Sequence, residues 1–449
     1  MMSLMLYLIG LFLLLKLLNK KLLMLFIQNM LFFLFFIFMF YYLNLFNYNF
    51  WMMIFMDYGI DKISFLMIML SMWIISLMFL STLNMNFFYF KTLLFQILFL
   101  LLSLLMFFYS MDLINFYLFF EISLIPIFLM IMGWGVQPER LQAGIYMIIY
   151  TLFASLPFLL ILLMVNMNFG SLNFMYLIYL SFNFNMNFIL VFGVVFIFMV
   201  KLPVYFVLYD SQKLMLKPQF LVQLILAGVL LKLGGYGIIR FMMIFLKSLY
   251  LNNLYFISFV LIGSLNISIM CIRQIDLKML IAYSSVVHMG FMFVGFYLFY
   301  WISFMGGVMM MISHGLCSSA MFCLLNFSYK RTGSRNLLIN KGLIQYFPKM
   351  SLWWFIFCSM NMAAPPSLNL VSEIYLMICM FKYSEWLFLY IFILSFFSGL
   401  YSIYLYSYSQ HGKNFLFGNM FNFNSIDEFL LMILHFIPMM FCFLNLWYF

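Results

Sequence analysis

An all-α polytopic transmembrane bundle of about fourteen helices is what this sequence predicts, on three observations. Of its 449 residues, 68% are hydrophobic and 7% charged, with a mean hydropathy of +1.16; a soluble domain carries about a quarter charged residues. Apolar runs of roughly twenty residues, each long enough to cross a bilayer, recur from one end to the other. The basic residues between those runs alternate by parity, as they must if successive loops lie on opposite sides of a membrane.

The runs fall near 2–18, 22–43, 62–81, 91–109, 112–132, 143–165, 187–208, 219–242, 253–271, 277–297, 304–327, 348–381, 387–408 and 429–447. The first, LMLYLIGLFLLLKLL, has neither a basic start nor a cleavage site and reads as a retained span, not a signal. The seventh meets Pro203 two residues after Lys201, which removes a backbone donor and frees carbonyls. The twelfth is too long for one straight span and contains AAPPS, where Pro365 and Pro366 break it. Two interrupted helices, about five spans apart, are the pattern of an internal transporter repeat.

Loops after odd-numbered helices hold Lys20, Lys21, Lys91, Arg140, Arg273, Lys278, Lys330, Arg331, Arg335, Lys341, Lys349 and Lys413, and those after even-numbered helices little beside Lys62, Lys247 and Lys382. The odd-helix loops are therefore expected on the synthesis side and both termini on the other. The net charge of +10 then reflects topology, and a nucleic-acid partner has no support; the partner by composition is the lipid bilayer.

Composition also removes several chemistries. Forty-five methionines could suggest copper, but they are spread without motif and read as lipid-facing and core filler. The excess of Phe, Met and Tyr points to an A/T-rich genome. Cys271, Cys317, Cys323, Cys358, Cys379 and Cys442 are scattered without a CxxC, which argues against a disulfide framework or an iron–sulfur site. Four histidines are too few and too dispersed for haem pairs, so a haem–copper oxidase subunit is excluded, and no Gly-rich phosphate loop follows a strand. No metal and no cofactor is expected on this chain.

What remains is buried charge. Lys201 ends NFILVFGVVFIFMV and Lys232 sits inside LILAGVLLKLGGYGII, both otherwise apolar. Glu121 lies in INFYLFFEISLIPIF, with Pro126 about one turn later, and Glu373 in NLVSEIYLMICM just past AAPPS. An ionisable group at such depth costs at least about 2.5 kcal/mol and is kept where it faces a protein interior or a wet cavity. A buried acid near a buried amine suits proton storage and release, because small moves change the proton affinity of both; the alternative is a structural pair that orders the helices. His288 in LIAYSSVVHMGFMF and His314 in MMISHGLCSSAMF could shuttle protons near neutral pH or simply hydrogen-bond a neighbouring helix. His411 and His435 lie towards helix ends and receive no role, and Glu139–Arg140 reads as a loop ion pair or turn.

Together, QPERLQAGIYMIIYTLFASLP, VKLPVYFV, ILAGVLLKLGGYGIIR, RQIDLKMLIAYSSVVHMGF, ISHGLCSSAMF and NMAAPPSLNLVSE resemble the chain 4 family of mitochondrial NADH:ubiquinone oxidoreductase, respiratory complex I. They occur in the family's order and cover most of residues 112–376. The resemblance implies an antiporter-like, proton-pumping membrane subunit with five-helix inverted repeats and broken seventh and twelfth helices. It divides the chain into 1–90 (helices 1–3), 91–242 (first repeat, helices 4–8), 253–408 (second inverted repeat, helices 9–13) and 409–449 (helix 14). It implies Glu121 as the acid of the charged pair, Lys201 as its partner, Lys232 as the central relay lysine and Glu373 as the exit-side acid. His288 and His314 match relay or water-coordinating positions. The expected setting is the mitochondrial inner membrane, among other complex I membrane subunits that include neighbouring antiporter-like ones. NADH, FMN, iron–sulfur clusters and ubiquinone would be handled by partner subunits.

One stretch departs from the family. After KLPVYFV the family has His-Leu-Trp-x-Pro-Lys-Ala-His-Val-Glu-Ala-Pro-Val before ILAG, where this chain has LYDSQKLMLKPQFLVQL. Codons for Leu-Trp-Phe-Pro-Lys-Ala-His-Val-Glu-Ala-Pro-Val-Ser-Gly-Ser, read one base later, can spell the string from Tyr209 to Gln223. Residues 208–224 are therefore read as a compensated frameshift, an error in the sequence, and Asp210, Lys213 and Lys217 receive no role. The expected mechanism passes a proton from Lys201, by way of ordered water and His288, to Lys232 and out by Glu373. A stand-alone cation/proton antiporter and a structural subunit with inert ion pairs are the rivals.

Overall fold

The computed structural model describes residues 2–15, 20–43, 51–82, 88–135, 140–180, 187–205, 220–413 and 425–444. Eleven helices among them are long and apolar enough to cross a membrane, so the chain is a multi-pass membrane protein. The short helix Met2–Leu14, the helix Phe188–Lys201 and the interrupted pair Pro348–Asn361 and Leu368–Tyr383 fill the first, seventh and twelfth places. Every predicted run is thus matched by helix. Within the spans the backbone bonds itself, and buried serines turn their hydroxyls onto the carbonyl three residues back, as Ser71, Ser103 and Ser285 do. A polar side chain satisfied by its own helix asks nothing of lipid.

The chain forms two compact units. One comprises Met1–Lys201, Lys217–Ile225 and Lys232–Leu249; the other comprises Leu202–Leu216, Leu226–Leu231 and Tyr250–Phe449. In the first, helix Lys62–Thr82 is buried along nearly its whole length and packs on Lys20–Leu43 and Phe90–Tyr109. Gly237 lets helix Leu231–Ile244 approach Phe188–Lys201, since a Cβ there would lie 2.1 Å from the Phe198 ring. In the second, helix Trp301–Thr332 is the axle, packed against Leu277–Tyr297, Pro348–Asn361, Leu368–Tyr383 and Ile426–Leu444.

Three features differ from the sequence reading. The fifth span, Leu113–Trp134, stays helical through Ser123 (φ −60°, ψ −22°) but lacks one bond of its ladder. Pro126 has no N–H to return to Ile122, so the ladder lapses there. A β-hairpin joins the second and third spans, Met52–Phe55 pairing antiparallel with Tyr58–Ile60. The eleventh span runs to Thr332, past the polar SYKRT at which hydropathy falls, and stops at Gly333 in the left-handed conformation (φ 67°). Lys330 and Arg331 therefore belong to the last helical turn, where they oppose the negative end of the dipole. Both predicted proline breaks coincide with helix ends: Phe188–Lys201 stops at the Leu202–Pro203 turn, and the twelfth span is open from Met362 to Ser367. Residues 208–219 of the suspected frameshift, and Glu139, lie outside the described residues; Phe220–Ile225 opens the eighth span as buried helix.

Candidate functional site

Helix breaks position the charges of the first unit. Glu121 lies within the fifth span, beside the Ile122 carbonyl that Pro126 leaves without its ladder bond, and Lys201 is the final residue of its helix, where the negative end of the dipole favours a cation. The two side chains interact electrostatically without direct ion-pair contact, and Ser155 of the sixth span turns its hydroxyl to the Leu152 carbonyl at 3.4 Å. Lys201 Nζ is wholly buried and lies 4.4 Å from the centroid of the Phe120 ring, a cation–π contact worth about 2 kcal/mol when desolvated. Among the described residues it has no hydrogen-bond acceptor. A buried ammonium held by an aromatic face and a distant carboxylate is a site whose charge depends on that distance.

Lys232 has no solvent-exposed surface. It follows a π-helical turn, Leu226–Leu230, and is the second residue of the regular helix Leu231–Ile244. Such turns interrupt the i→i−4 ladder and recur at functional positions. Here the interruption brings the Ala227 carbonyl within 3.5 Å of the Ser318 hydroxyl, which bonds more closely to the His314 carbonyl at 2.7 Å.

In the second unit three predicted residues converge and a fourth joins them. His288 is fully buried, with Nδ1 3.3 Å from Glu373 Oε1, a distance for an ion pair whose angle is not that of a hydrogen bond. Its Nε2 lies 3.2 Å from the Tyr401 hydroxyl, and its ring centroid 5.6 Å from that of His314. Glu373 is placed by the break in the twelfth span. Ser367 caps the new helix through the Leu370 N–H, and Asn369 donates to the Met360 carbonyl across the gap at 2.8 Å. His435 spends Nδ1 on the Leu431 carbonyl of its own helix at 2.8 Å, the bland role of a buried histidine.

Sequence reasoning missed Tyr401 and a buried clamp in the first unit. Arg240 Nη2 lies 2.6 Å from Asp61 Oδ1 and 2.6 Å from the Tyr236 hydroxyl, and the Tyr236 hydroxyl donates to the Phe108 carbonyl at 3.2 Å. The guanidinium also sits 4.3 Å from the Trp51 ring centroid. Asp61 caps helix Lys62–Thr82, accepting from Ser64 N at 2.9 Å while Ser64 Oγ accepts from Asp61 N at 2.8 Å. Burial pushes the Asp61 carboxyl up, but Arg240 and the Ser64 bonds hold it below the usual carboxylate range. Two signals were available: the D-x-x-S cap at Asp61, and Tyr236 and Arg240 four apart on one helix face.

Comparison with known proteins identifies the family. Residues 1–109 match the model for NADH-ubiquinone oxidoreductase chain 4, amino terminus, and residues 110–398 match that for the NADH:quinone oxidoreductase/Mrp antiporter transmembrane region. NADH-ubiquinone oxidoreductase chain 4 of Ceratitis capitata is 44% identical over 385 residues, 85% of each chain. That of Locusta migratoria is 41% identical over 407 residues, 88% of this chain and 89% of its own. A chain of respiratory complex I from Thermus thermophilus with bound NADH has the same fold, with a TM-score of 0.83 at 21% identity, covering 97% of this chain and 93% of that one. Both family models and relatives above 40% identity over most of their length agree: the chain belongs to the NADH-ubiquinone oxidoreductase chain 4 family.

Proposed function

We propose that this chain is a core proton-carrying membrane subunit of a respiratory NADH:ubiquinone oxidoreductase in the mitochondrial inner membrane. Its partners are the other membrane subunits of that complex, neighbouring antiporter-like ones among them. NADH, FMN, iron–sulfur clusters and ubiquinone are handled in those other subunits, and this chain contributes translocation.

The observation that supports this reading best is the placing of buried charge at helix breaks. Glu121 adjoins the Ile122 carbonyl that Pro126 frees, Lys201 precedes Leu202–Pro203, Lys232 follows a π turn and Glu373 follows the 362–367 break. A broken helix offers freed carbonyls and room to shift, and a charge beside it changes its proton affinity as the shift occurs. Movement of Glu121 relative to Lys201 alters how strongly the amine holds its proton. Lys232, His288 and Glu373 supply further stations, each a group that can take a proton and give it back. The match of the first 109 residues to the chain 4 model favours this role over a stand-alone cation/proton antiporter.

Neutralising the stations one at a time tests the proposal. Glu121→Gln and Lys232→Met in the assembled enzyme should each cut pumping-coupled activity while the complex still assembles. Full coupled turnover in both variants would reduce the charges to structural ion pairs.

A further inference from the structure

We propose that Tyr401 is the positioning residue of His288: its hydroxyl selects which ring nitrogen carries the proton and keeps both charge states of the ring hydrogen-bonded. This rests on the proton-carrying role of the chain.

The imidazole is held from two sides by two helices. Glu373, on Leu368–Tyr383, faces Nδ1 at 3.3 Å, and Tyr401, on Trp386–Gln410, faces Nε2 at 3.2 Å. Tyr401 and His288 are both fully buried. The two partners are chemically unequal. An ionised carboxylate can only accept, whereas a phenol both donates and accepts through a hydrogen that turns about one bond. With Glu373 ionised, the neutral ring is favoured with its proton on Nδ1, and the Tyr401 O–H then donates to Nε2. A second proton reaches Nε2 through the phenol: a protonated water gives one to the oxygen as its own hydrogen passes to Nε2, and the same oxygen then accepts from Nε2–H. The proton on Nδ1 is then the one released, to Glu373 Oε1, after a small rotation that brings the 3.3 Å contact into line. One proton enters at Nε2, one leaves from Nδ1, and the phenol stays neutral throughout.

The other titratable groups near this pair lie on two further helices. Helix Trp301–Thr332 contributes His314, its ring 5.6 Å from that of His288, and the thiol of Cys317; helix Asn253–Ile272 contributes the thiol of Cys271. The bland alternative is a core tyrosine that happens to satisfy its hydroxyl on a histidine. It predicts that losing the hydroxyl scales activity without changing how activity depends on pH.

Tyr401→Phe keeps the ring volume and removes the hydroxyl; Tyr401→Gln loses volume but keeps a donor and an acceptor. Both are read in the assembled enzyme for complex content, proton-coupled NADH oxidation and its pH profile. We expect Tyr401→Phe to assemble, to lose about tenfold in coupled rate, and to displace the pH profile by about one unit. Tyr401→Gln should move the profile back towards the wild-type position. An unshifted profile in Tyr401→Phe overturns the proposal, as does a Gln variant that falls further from wild type than Phe. Failure of both variants to assemble makes Tyr401 a packing residue and overturns it equally. None of these results alters the effect of Glu121→Gln, so the positioning role and the proton-carrying role fall separately.

Discussion

Replacing Asp61 by Asn takes away one charge and very little else. Asn caps a helix as well as Asp does, so the Ser64 N–H retains an acceptor and the start of helix Lys62–Thr82 stays satisfied. What is lost is the negative charge: the same Oδ1 accepts from Ser64 N and, at 2.6 Å, from Arg240 Nη2, so the amide oxygen of Asn keeps both bonds while the buried guanidinium loses its counter-ion. Breaking one half of a buried pair costs about 3–5 kcal/mol, because an uncompensated charge remains. The amide oxygen, the Tyr236 hydroxyl and the Trp51 ring soften that, so the expected loss is near the lower end, about 3 kcal/mol. A double change, Asp61→Asn with Arg240→Gln, removes both charges and should recover much of it. The assay is the temperature at which half of the intact complex disappears from native gels, compared across wild type, both single variants and the double. The Asp61 carboxyl sits below its ordinary range, so the pair's contribution is present above the unfolded value, about pH 3.9, and is lost as pH falls through the folded value. Wild type should therefore approach Asp61→Asn in stability on acidification. An Asp61→Asn complex that melts with wild type, or a double variant as damaged as the two singles combined, would refute the clamp.

Two other predictions concern different parts of the chain. Burial and the neighbouring Asp57 carboxylate push the Asp112 carboxyl up, so its folding contribution is held below the unfolded pKa and lost as pH rises through the folded one. The Asp112 side chain makes no cap bond to helix Leu113–Ile122, so Asp112→Asn costs the helix start nothing; it should raise the melting temperature at neutral pH and make no difference below about pH 4, and a loss at neutral pH would contradict this. Resequencing codons 200–230, with the mass of the corresponding peptide, should return Lys-Ala-His-Val-Glu-Ala-Pro in place of the present run. If the peptide carries Leu-Tyr-Asp-Ser-Gln, the frameshift reading is wrong and the link between the seventh and eighth spans differs from that of the family.

Length and charge made the spans legible, because a run of apolar residues long enough to cross a bilayer has few other uses. The same rarity marked Glu121, Lys201, Lys232 and Glu373, each conspicuous in an otherwise apolar run. Tyr401 had no such contrast: it is one of 30 tyrosines, and only the fold shows which of them meets an imidazole. Arg240 and Asp61 are 179 positions apart, and no local pattern joins them. The hairpin escaped because its turn uses Met56 in the left-handed region (φ 51°), where glycine or asparagine is the usual signal. The fifth span stays helical past Pro126 with a single ladder bond missing, because a membrane span tolerates one proline without breaking.

The most direct measurement of the central claim is the number of protons moved per NADH oxidised by the enzyme reconstituted in sealed vesicles, wild type against Glu121→Gln. The account predicts that the variant assembles and moves fewer protons, with a slower coupled rate. An unchanged quotient at an unchanged rate would mean that the Glu121–Lys201 pair orders helices and carries nothing.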